Sequence, residues 1–169
     1  MGKRRAARES ALQILFELEF NDADLDSLVA RYWKNRRGAG PIKEYADWLV
    51  RGIVSRKKEL DELIQGSSKH WRISRMPFVD RNILRIAVFE LLEEKPLAPA
   101  VVINEAIEIA KRYSSGQAAD FVNGVLDAVR KKIGPLESRQ ESLKGKPHER
   151  TKQNSKKRVA RTGGRNEKE

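Results

Sequence analysis

Residues 79–92 have the sequence VDRNILRIAVFELL, and this stretch decides the fold. Its apolar residues recur at helical spacing around much of the helix circumference, rather than along a single stripe. A helix of this kind has no broad polar face for water, so other elements must cover it on several sides. We therefore expect the helix over 79–92 to be the most buried element of the protein.

On either side of this stretch, amphipathic helices are separated by turn-forming residues. Apolar residues recur at helical spacing over about residues 4–20, 25–34, 41–65, 99–113 and 117–133. The segment 41–65 is expected to be one long helix that connects an N-terminal bundle to a C-terminal one. No stretch alternates apolar and polar residues as a half-buried strand does. The sequence therefore predicts an all-α fold of about seven helices, arranged as two small antiparallel bundles in one compact domain.

Composition and charge restrict the function. The 169 residues include 35 Lys and Arg against 24 Asp and Glu, a formal net charge of +11, which indicates a polyanionic partner such as nucleic acid. Cysteine is absent and only two histidines occur, so thiol chemistry, disulfides and ordinary zinc sites are excluded. No apolar run approaches the roughly 18 residues of a membrane span, and no signal-peptide core is present. These features predict a cytoplasmic protein without metal, cofactor or membrane association.

The C-terminal part of the chain differs from the rest. From Glu137 to Glu169 there are 11 basic and 5 acidic residues, and the only large aliphatic side chains are Leu143 and Val159. Such a segment cannot bury enough apolar surface to offset its ordering entropy, so it is predicted to be disordered. Residues 1–136 are then the folded domain. Two interpretations of the tail stay open: a solubilising extension, or an auxiliary segment with weak non-specific RNA affinity.

The sequence contains no catalytic signature. No Gly-rich phosphate loop of the Gly-Lys-Ser or Gly-Lys-Thr type occurs, and the acidic residues are scattered among Lys and Arg. Glu105 and Glu108 lie three residues apart in one predicted helix, a spacing that resembles the paired carboxylates of a catalytic site. Lys111 and Arg112 lie within one helical turn of Glu108, so ordinary surface ion pairs account for this arrangement. The chain is predicted not to be an enzyme.

Cations are concentrated at the start of the first helix, at Lys3, Arg4, Arg5 and Arg8. Positive charge at a helix N-terminus opposes the helix dipole and costs about 0.3–1 kcal/mol per residue. Contact with RNA phosphates is a physical reason to keep cations there. The alternative interpretation is an incidental, solvated basic end.

Aromatic and basic residues also meet at a later helix junction. Tyr113 and Phe121 flank the loop 114–120, and Lys111 and Arg112 directly precede Tyr113. Aromatic rings beside cations suit stacking on unpaired bases. The alternative is that both rings close the C-terminal core. Tyr113 is the better RNA candidate, because its hydroxyl tolerates a boundary with water.

One flank of the first helix is apolar beyond the stripe that faces the core. Leu12, Phe16 and Phe20 lie together on this flank at the helical spacing of about 100° per residue. They widen the apolar face beyond the need of one neighbouring helix. Either another helix covers them, or they form a docking strip for a partner protein.

Gly124 falls inside the last predicted helix. An exposed glycine there would cost about 1 kcal/mol relative to alanine. We therefore expect a close helix crossing at Gly124.

Five stretches occur together in a specific order: RAARESALQ at 5–13, WRISR at 71–75, DRNILRIAVFEL at 80–91, VINEA at 102–106 and FVNGVLD at 121–127. In this order they resemble the NusB family of bacterial transcription antitermination factors, over about residues 4–133. The resemblance implies an all-helical, non-catalytic protein that binds the single-stranded boxA element of ribosomal RNA operon transcripts. It also implies two protein partners: NusE, a small-subunit ribosomal protein, and the antitermination complex on RNA polymerase.

The resemblance also implies roles for individual residues. The family's RNA-contacting positions are occupied here by Arg4, Arg5, Arg8, Tyr113 and Phe121, and its NusE-facing positions by Phe16, Phe20 and Asp80. The residue patterns add Lys3, Lys111 and Arg112 to the RNA candidates and Leu12 to the partner candidates.

Two other functions stay open from the sequence. NusB-like domains also precede the catalytic domain of ribosomal RNA cytosine methyltransferases, which makes an accessory domain of such a system one alternative. Against it, 169 residues leave no room for a cofactor-binding α/β domain. The other alternative is a generic helical protein-interaction module whose charge only confers solubility. The sequence also leaves open whether the chain forms a homodimer.

Overall fold

The structure, a computed structural model, describes residues 2–36, 40–93 and 97–135. The described chain forms seven α-helices: α1 (Lys3–Leu18), α2 (Leu25–Trp33), α3 (Gly40–Ser55), α4 (Lys57–Ser67), α5 (Phe78–Leu92), α6 (Pro99–Tyr113) and α7 (Ala118–Ile133). A short 3₁₀ helix (Ile73–Arg75) precedes α5. No strand occurs in these ranges, which confirms the all-α prediction. The predicted disorder of 137–169 lies outside the described residues.

Helix α5 is the element around which the others pack. It contacts α1, α3, α4, α6 and α7, and 11 of its 15 residues are buried. Helices α1–α3 form one small bundle and α4–α7 form the other, and α5 contacts both. The expectation drawn from residues 79–92 is thereby confirmed, because a helix with apolar residues on several sides needs several neighbours.

The expected single helix over 41–65 is in fact two helices, separated at Arg56. The backbone of Arg56 has φ −115° and ψ 19°, outside the helical region. Directly before it, the Ser55 hydroxyl donates to the Gly52 carbonyl at 2.9 Å, a contact that bends helices. The Arg56 guanidinium also donates to Glu93 at 2.5 Å. Apolar periodicity did not reveal the break because it depends on these polar contacts.

The close approach expected at Gly124 occurs instead at Gly52. Nothing lies within 4 Å of the position that a Cβ of residue 124 would take. At Gly52 in α3, a Cβ would lie 2.1 Å from Cζ of Phe89 in α5. The Phe89 ring therefore occupies the space that a side chain at Gly52 would need.

None of the described helices is long and apolar enough to cross a membrane. In the same ranges, no three His, Asp or Glu side chains are grouped so that they could hold a metal ion. The described surface does carry exposed charged and aromatic side chains, and these form the candidate interface.

Candidate nucleic-acid interface

The N-terminal tip of α1 presents two cations to solvent, Lys3 and Arg4. Both are exposed, and neither forms an ion pair with a described residue. The Arg4 guanidinium lies 5.7 Å from the centre of the Tyr45 ring. The first turn of α1 contains no acidic side chain. A phosphate at this tip would therefore meet two positive charges together with the positive end of the helix dipole.

Arg5 is held against α6 by Glu105. Its Nε and Nη2 donate to the two oxygens of the Glu105 carboxylate at 2.8 and 2.7 Å. The hydrogen bond and positive charge of Arg5 hold the pKa of Glu105 below its ordinary value. About a third of the Arg5 side chain (34%) stays exposed. The two-pronged contact thus orients the guanidinium and leaves its other N–H groups for another acceptor.

Arg8 lies inside the protein, which corrects the expectation that it contacts RNA. It is only 3% exposed, and its Nε and Nη2 each donate to Glu90 at 2.9 Å. The Tyr45 hydroxyl donates to the same carboxylate. Arg8 precedes Ala11 and Leu12 by three and four residues, so helical geometry places it on the core face of α1. Its charge is neutralised in the interior.

The last turn of α6 carries the second cationic group. Arg112 is exposed and donates to Glu9 of α1 at 2.9 Å, and Lys111 is exposed and pairs with Glu108 at 2.9 Å. The Arg112 guanidinium lies 5.3 Å from the centre of the half-buried Tyr113 ring. Burial and the nearby Glu9 carboxylate raise the pKa of Tyr113, so its hydroxyl stays protonated.

Arg5, Arg112 and Tyr113 therefore lie along one surface between two helices. We call this surface the α1–α6 seam and define it by the ion pairs Arg5–Glu105 and Arg112–Glu9 and by the Tyr113 ring. Position 5 pairs with position 105 and position 9 with position 112, so α1 and α6 run in the same direction. The structure thus brings together cations that lie about a hundred positions apart in the sequence.

Phe121 lies in a separate cleft, with an aromatic residue that the sequence reasoning missed. Its half-buried ring packs against the C-terminal core and lies 6.5 Å, edge to face, from Trp71. Trp71 is 57% exposed, and Arg75 lines the same cleft of about 360 Å³. An exposed tryptophan between Lys69 and Arg72 suits stacking on an unpaired base. This interleaving of Trp71 with cations is the signal that could have identified it.

The apolar flank of α1 is only partly exposed. Leu12 is buried in the hydrophobic core, which corrects its assignment to a docking strip. Phe16 is 38% and Phe20 is 60% exposed, and their ring centres lie 5.0 Å apart. Phe78, at the start of α5, is also exposed, 4.9 Å from Phe20. We call Phe16, Phe20 and Phe78 the phenylalanine patch; Phe78 was missed because it joins the patch only through folding.

Asp80 is turned inward, which corrects the expectation that it faces a partner. The residue is buried, and its carboxylate accepts a hydrogen bond from the Ser114 hydroxyl. This bond connects the first turn of α5 to the residue that ends α6. Asp80 is therefore satisfied within the protein and holds two helix ends together.

Comparison with curated proteins gives relatives named transcription antitermination protein NusB. The transcription antitermination protein NusB of Desulforapulum autotrophicum is 43% identical over 132 residues, which cover 77% of this chain and 92% of that protein. The protein of the same name from Bdellovibrio bacteriovorus is 44% identical over 129 residues, covering 76% and 95%. This is not the name of an enzyme, in agreement with the prediction from the sequence.

Solved structures and a family model give the same result. NusB of T. maritima has a TM-score of 0.70 and 38% identity, covering 81% of this chain and 96% of its own. The antitermination factors NusB and NusE, solved in complex with double-stranded RNA, match with a TM-score of 0.69 and 31% identity, covering 78% and 98%. The model of the NusB family matches residues 5–131, from the arginines of α1 to the last turn of α7. The chain therefore belongs to the NusB family.

Proposed function

We propose that this protein binds RNA through Lys3, Arg4, Lys111 and the α1–α6 seam, and that it acts as a transcription antitermination factor. The observation that carries the proposal is the seam itself, where carboxylates hold Arg5 and Arg112 in fixed orientations beside exposed cations. The related NusB–NusE structure, which contains RNA, supports it.

The cations have two different tasks in this proposal. Lys3 and Arg4 are not neutralised by any described carboxylate, so they supply long-range attraction and release of counterions from RNA. Arg5 and Arg112 keep their acidic partners and supply oriented N–H donors to phosphate oxygens. The Tyr113 ring, beside Arg112, takes an unstacked base. Phosphate contacts thus position the RNA, and ring contacts hold its bases.

The proposed RNA is the single-stranded boxA element of ribosomal RNA operon transcripts, bound in the cytoplasm within the antitermination complex of RNA polymerase. The sequence resemblance supports this choice. The half-buried ring of Tyr113 and the exposed ring of Trp71 also support it, because single strands offer base faces that double-helical RNA hides. The related complex contains double-stranded RNA. The affinity measurement below therefore includes both single-stranded and double-stranded RNA.

The phenylalanine patch is the proposed docking surface for a NusE-type ribosomal protein. Three neighbouring rings form a continuous exposed apolar surface, a feature typical of protein interaction sites. The Arg81 guanidinium lies 4.7 Å from the centre of the Phe78 ring and gives the patch a polar rim. A bound partner would extend the cationic surface, so the complex should bind RNA more tightly than either protein alone.

The direct test measures the affinity of the full chain for labelled boxA-type RNA, a scrambled single strand and a duplex, with and without NusE. The combination of Arg4→Ala with Lys111→Ala should weaken binding several-fold and leave helicity unchanged. The matched control is Arg51→Ala, an exposed arginine of α3 that pairs with Asp26. Equal affinities for wild type and the double variant would contradict the assignment of the surface.

A further inference from the structure

A groove next to the seam contains Gln13, Tyr32 and Arg36, to which the function proposed above gives no role. It has a volume of about 480 Å³ and lies among α1, α2 with its following turn, the start of α5 and the end of α6. The residues that matter here are Leu12, Gln13, Tyr32, Arg36, Val79 and Tyr113. Tyr113 belongs to both the groove and the seam, and Phe16 belongs to both the groove and the phenylalanine patch, so the groove lies between the two proposed surfaces.

Arg36 lies stacked on an aromatic ring at the groove. Its guanidinium carbon is 3.9 Å from the centre of the Tyr32 ring. Its Nη1 donates to the Tyr32 carbonyl at 3.2 Å and its Nη2 to Oε1 of Gln13 at 3.4 Å. Arg36 is exposed and forms no ion pair within the described ranges. One face of the guanidinium is thus covered by the ring, while the other is open to a planar ligand.

The rest of the groove is preorganised by a second hydrogen bond. The Tyr32 hydroxyl donates to Oε1 of Gln13 at 2.7 Å. This bond fixes the Tyr32 ring beneath Arg36, and it leaves the amide nitrogen of Gln13 to donate elsewhere. Leu12 and Val79 provide an apolar lining. A flat cation, an apolar lining and an amide at the edge are the groups that hold a nucleobase.

We propose that this groove binds one unstacked nucleobase of the RNA that crosses the α1–α6 seam. The base stacks on the open face of Arg36, and the Gln13 amide meets its polar edge. The unpaired charge of Arg36 favours a polyanion over an apolar peptide as the occupant. The inference rests on the proposed RNA-binding function and adds a second base position beside Tyr113.

The test compares Arg36→Lys with wild type, because lysine keeps the charge and loses the planar group. The probes are a labelled single-stranded RNA and a strand of equal length whose sugars lack bases. We expect Arg36→Lys to bind the base-containing RNA about five- to tenfold more weakly, since stacking is lost. Its affinity for the abasic strand and its salt dependence should match wild type, because the charge is kept. Arg51→Lys, on α3, is the matched control.

Three outcomes would overturn the inference. Unchanged affinity of Arg36→Lys for both strands would show that no base is held at this position. Equal losses for the two strands would make Arg36 a phosphate contact. Calorimetry of Arg36→Lys with NusE is measured alongside, and a loss confined to NusE association would make the groove a protein-binding site. A wild-type chain that binds neither strand would instead remove the proposed function and the groove together, so the two failures are distinguishable.

Discussion

Arg4 and Arg8 lie four residues apart on α1, but one faces solvent and the other is buried in an ion pair. Arg4 is exposed at the helix tip, whereas Arg8 is enclosed with Glu90 and the Tyr45 hydroxyl. A buried ion pair gains little over apolar packing, but removal of one partner leaves the other charge unpaired in a low-dielectric interior. Mutation of the two arginines should therefore affect different properties of the protein.

Arg8→Ala should lower the free energy of unfolding by about 3–5 kcal/mol, because Glu90 is left buried without its counter-charge. Arg4→Ala should change it by less than about 0.5 kcal/mol, as exposed substitutions usually do. Urea denaturation followed by circular dichroism measures both values. Equal stabilities of the two variants would contradict the interior position of Arg8.

The Arg5–Glu105 pair should make the stability of the fold depend on pH. Hydrogen bonding and charge from Arg5 lower the pKa of Glu105 in the folded protein. A carboxyl group of this kind stabilises the fold above its unfolded pKa of about 4.3, and this stability is lost as the pH falls through the folded value. Glu105→Gln should therefore lose less thermal stability than wild type between about pH 5 and pH 3.

The measurement is the melting temperature of both proteins over that pH range. Glu62→Gln is the control, since Glu62 is exposed and forms no ion pair in the described part of the chain. Parallel curves for wild type and Glu105→Gln would show that the pair contributes nothing to acid sensitivity.

At this scale the sequence predicts which residues carry charge, but not which charges stay free. Lys3 and Arg4 could be recognised as surface cations from their place at a helix start. The spacing of Arg8 to Ala11 and Leu12 does place it on the core face of α1, but the sequence does not reveal its counter-charge, because Glu90 lies on another helix, 82 positions away. Asp80 was assigned to the partner surface through the family resemblance, and its inward position depends on Ser114, 34 positions away.

Between helices, Gly52 lets α3 and α5 approach each other. A Cβ at this position would lie 2.1 Å from the Phe89 ring, so the ring or a helix must shift. Gly52→Ala should therefore lower the free energy of unfolding by about 1–3 kcal/mol, the usual cost of overpacking. Chemical denaturation measures this change. An unchanged midpoint would show that the ring moves aside freely.

Gly124→Ala in α7 is the matched comparison, because open space surrounds that position. Alanine has the higher helix propensity, so this variant should gain about 0.5–1 kcal/mol. Opposite signs for the two glycine variants are the expected result.

Apolar periodicity predicted the helices well and their junctions less well. The stripe and the flanking turn residues identified α1, α2, α5, α6 and α7 close to their observed ranges. The break at Arg56 was missed, since it depends on the Ser55 hydroxyl and on Glu93 of a later segment. The Gly52–Phe89 approach was missed for the same reason, because close packing between helices leaves no periodic signal.

For the whole molecule, α1 separates the two proposed binding surfaces along its length. Its first turn carries cations, and its last residues lead to the phenylalanine patch. A helix of 16 residues is about 24 Å long, so RNA and a partner protein can bind side by side. This arrangement fits the proposed role of joining an RNA segment to a second protein.

The separation predicts that partner binding and RNA binding can be lost independently. Phe20→Ala should weaken association with NusE about tenfold, since exposed aromatic anchors dominate interface energies and Phe20, unlike Phe16, does not line the groove. The same variant should keep the RNA affinity of the free chain. Calorimetry with NusE and anisotropy with RNA measure the two properties. A larger loss of RNA affinity than of partner affinity would contradict the assignment of the patch.

The salt dependence of RNA binding tests the central claim most directly. Each phosphate contact to a single strand contributes about 0.7 to the slope of log affinity against log salt concentration. The Lys3→Ala, Arg4→Ala double variant should therefore show a slope smaller by about 1.4 than wild type, with unchanged helicity. If both proteins give the same slope, the tip of α1 does not contact the RNA backbone, and the account is wrong.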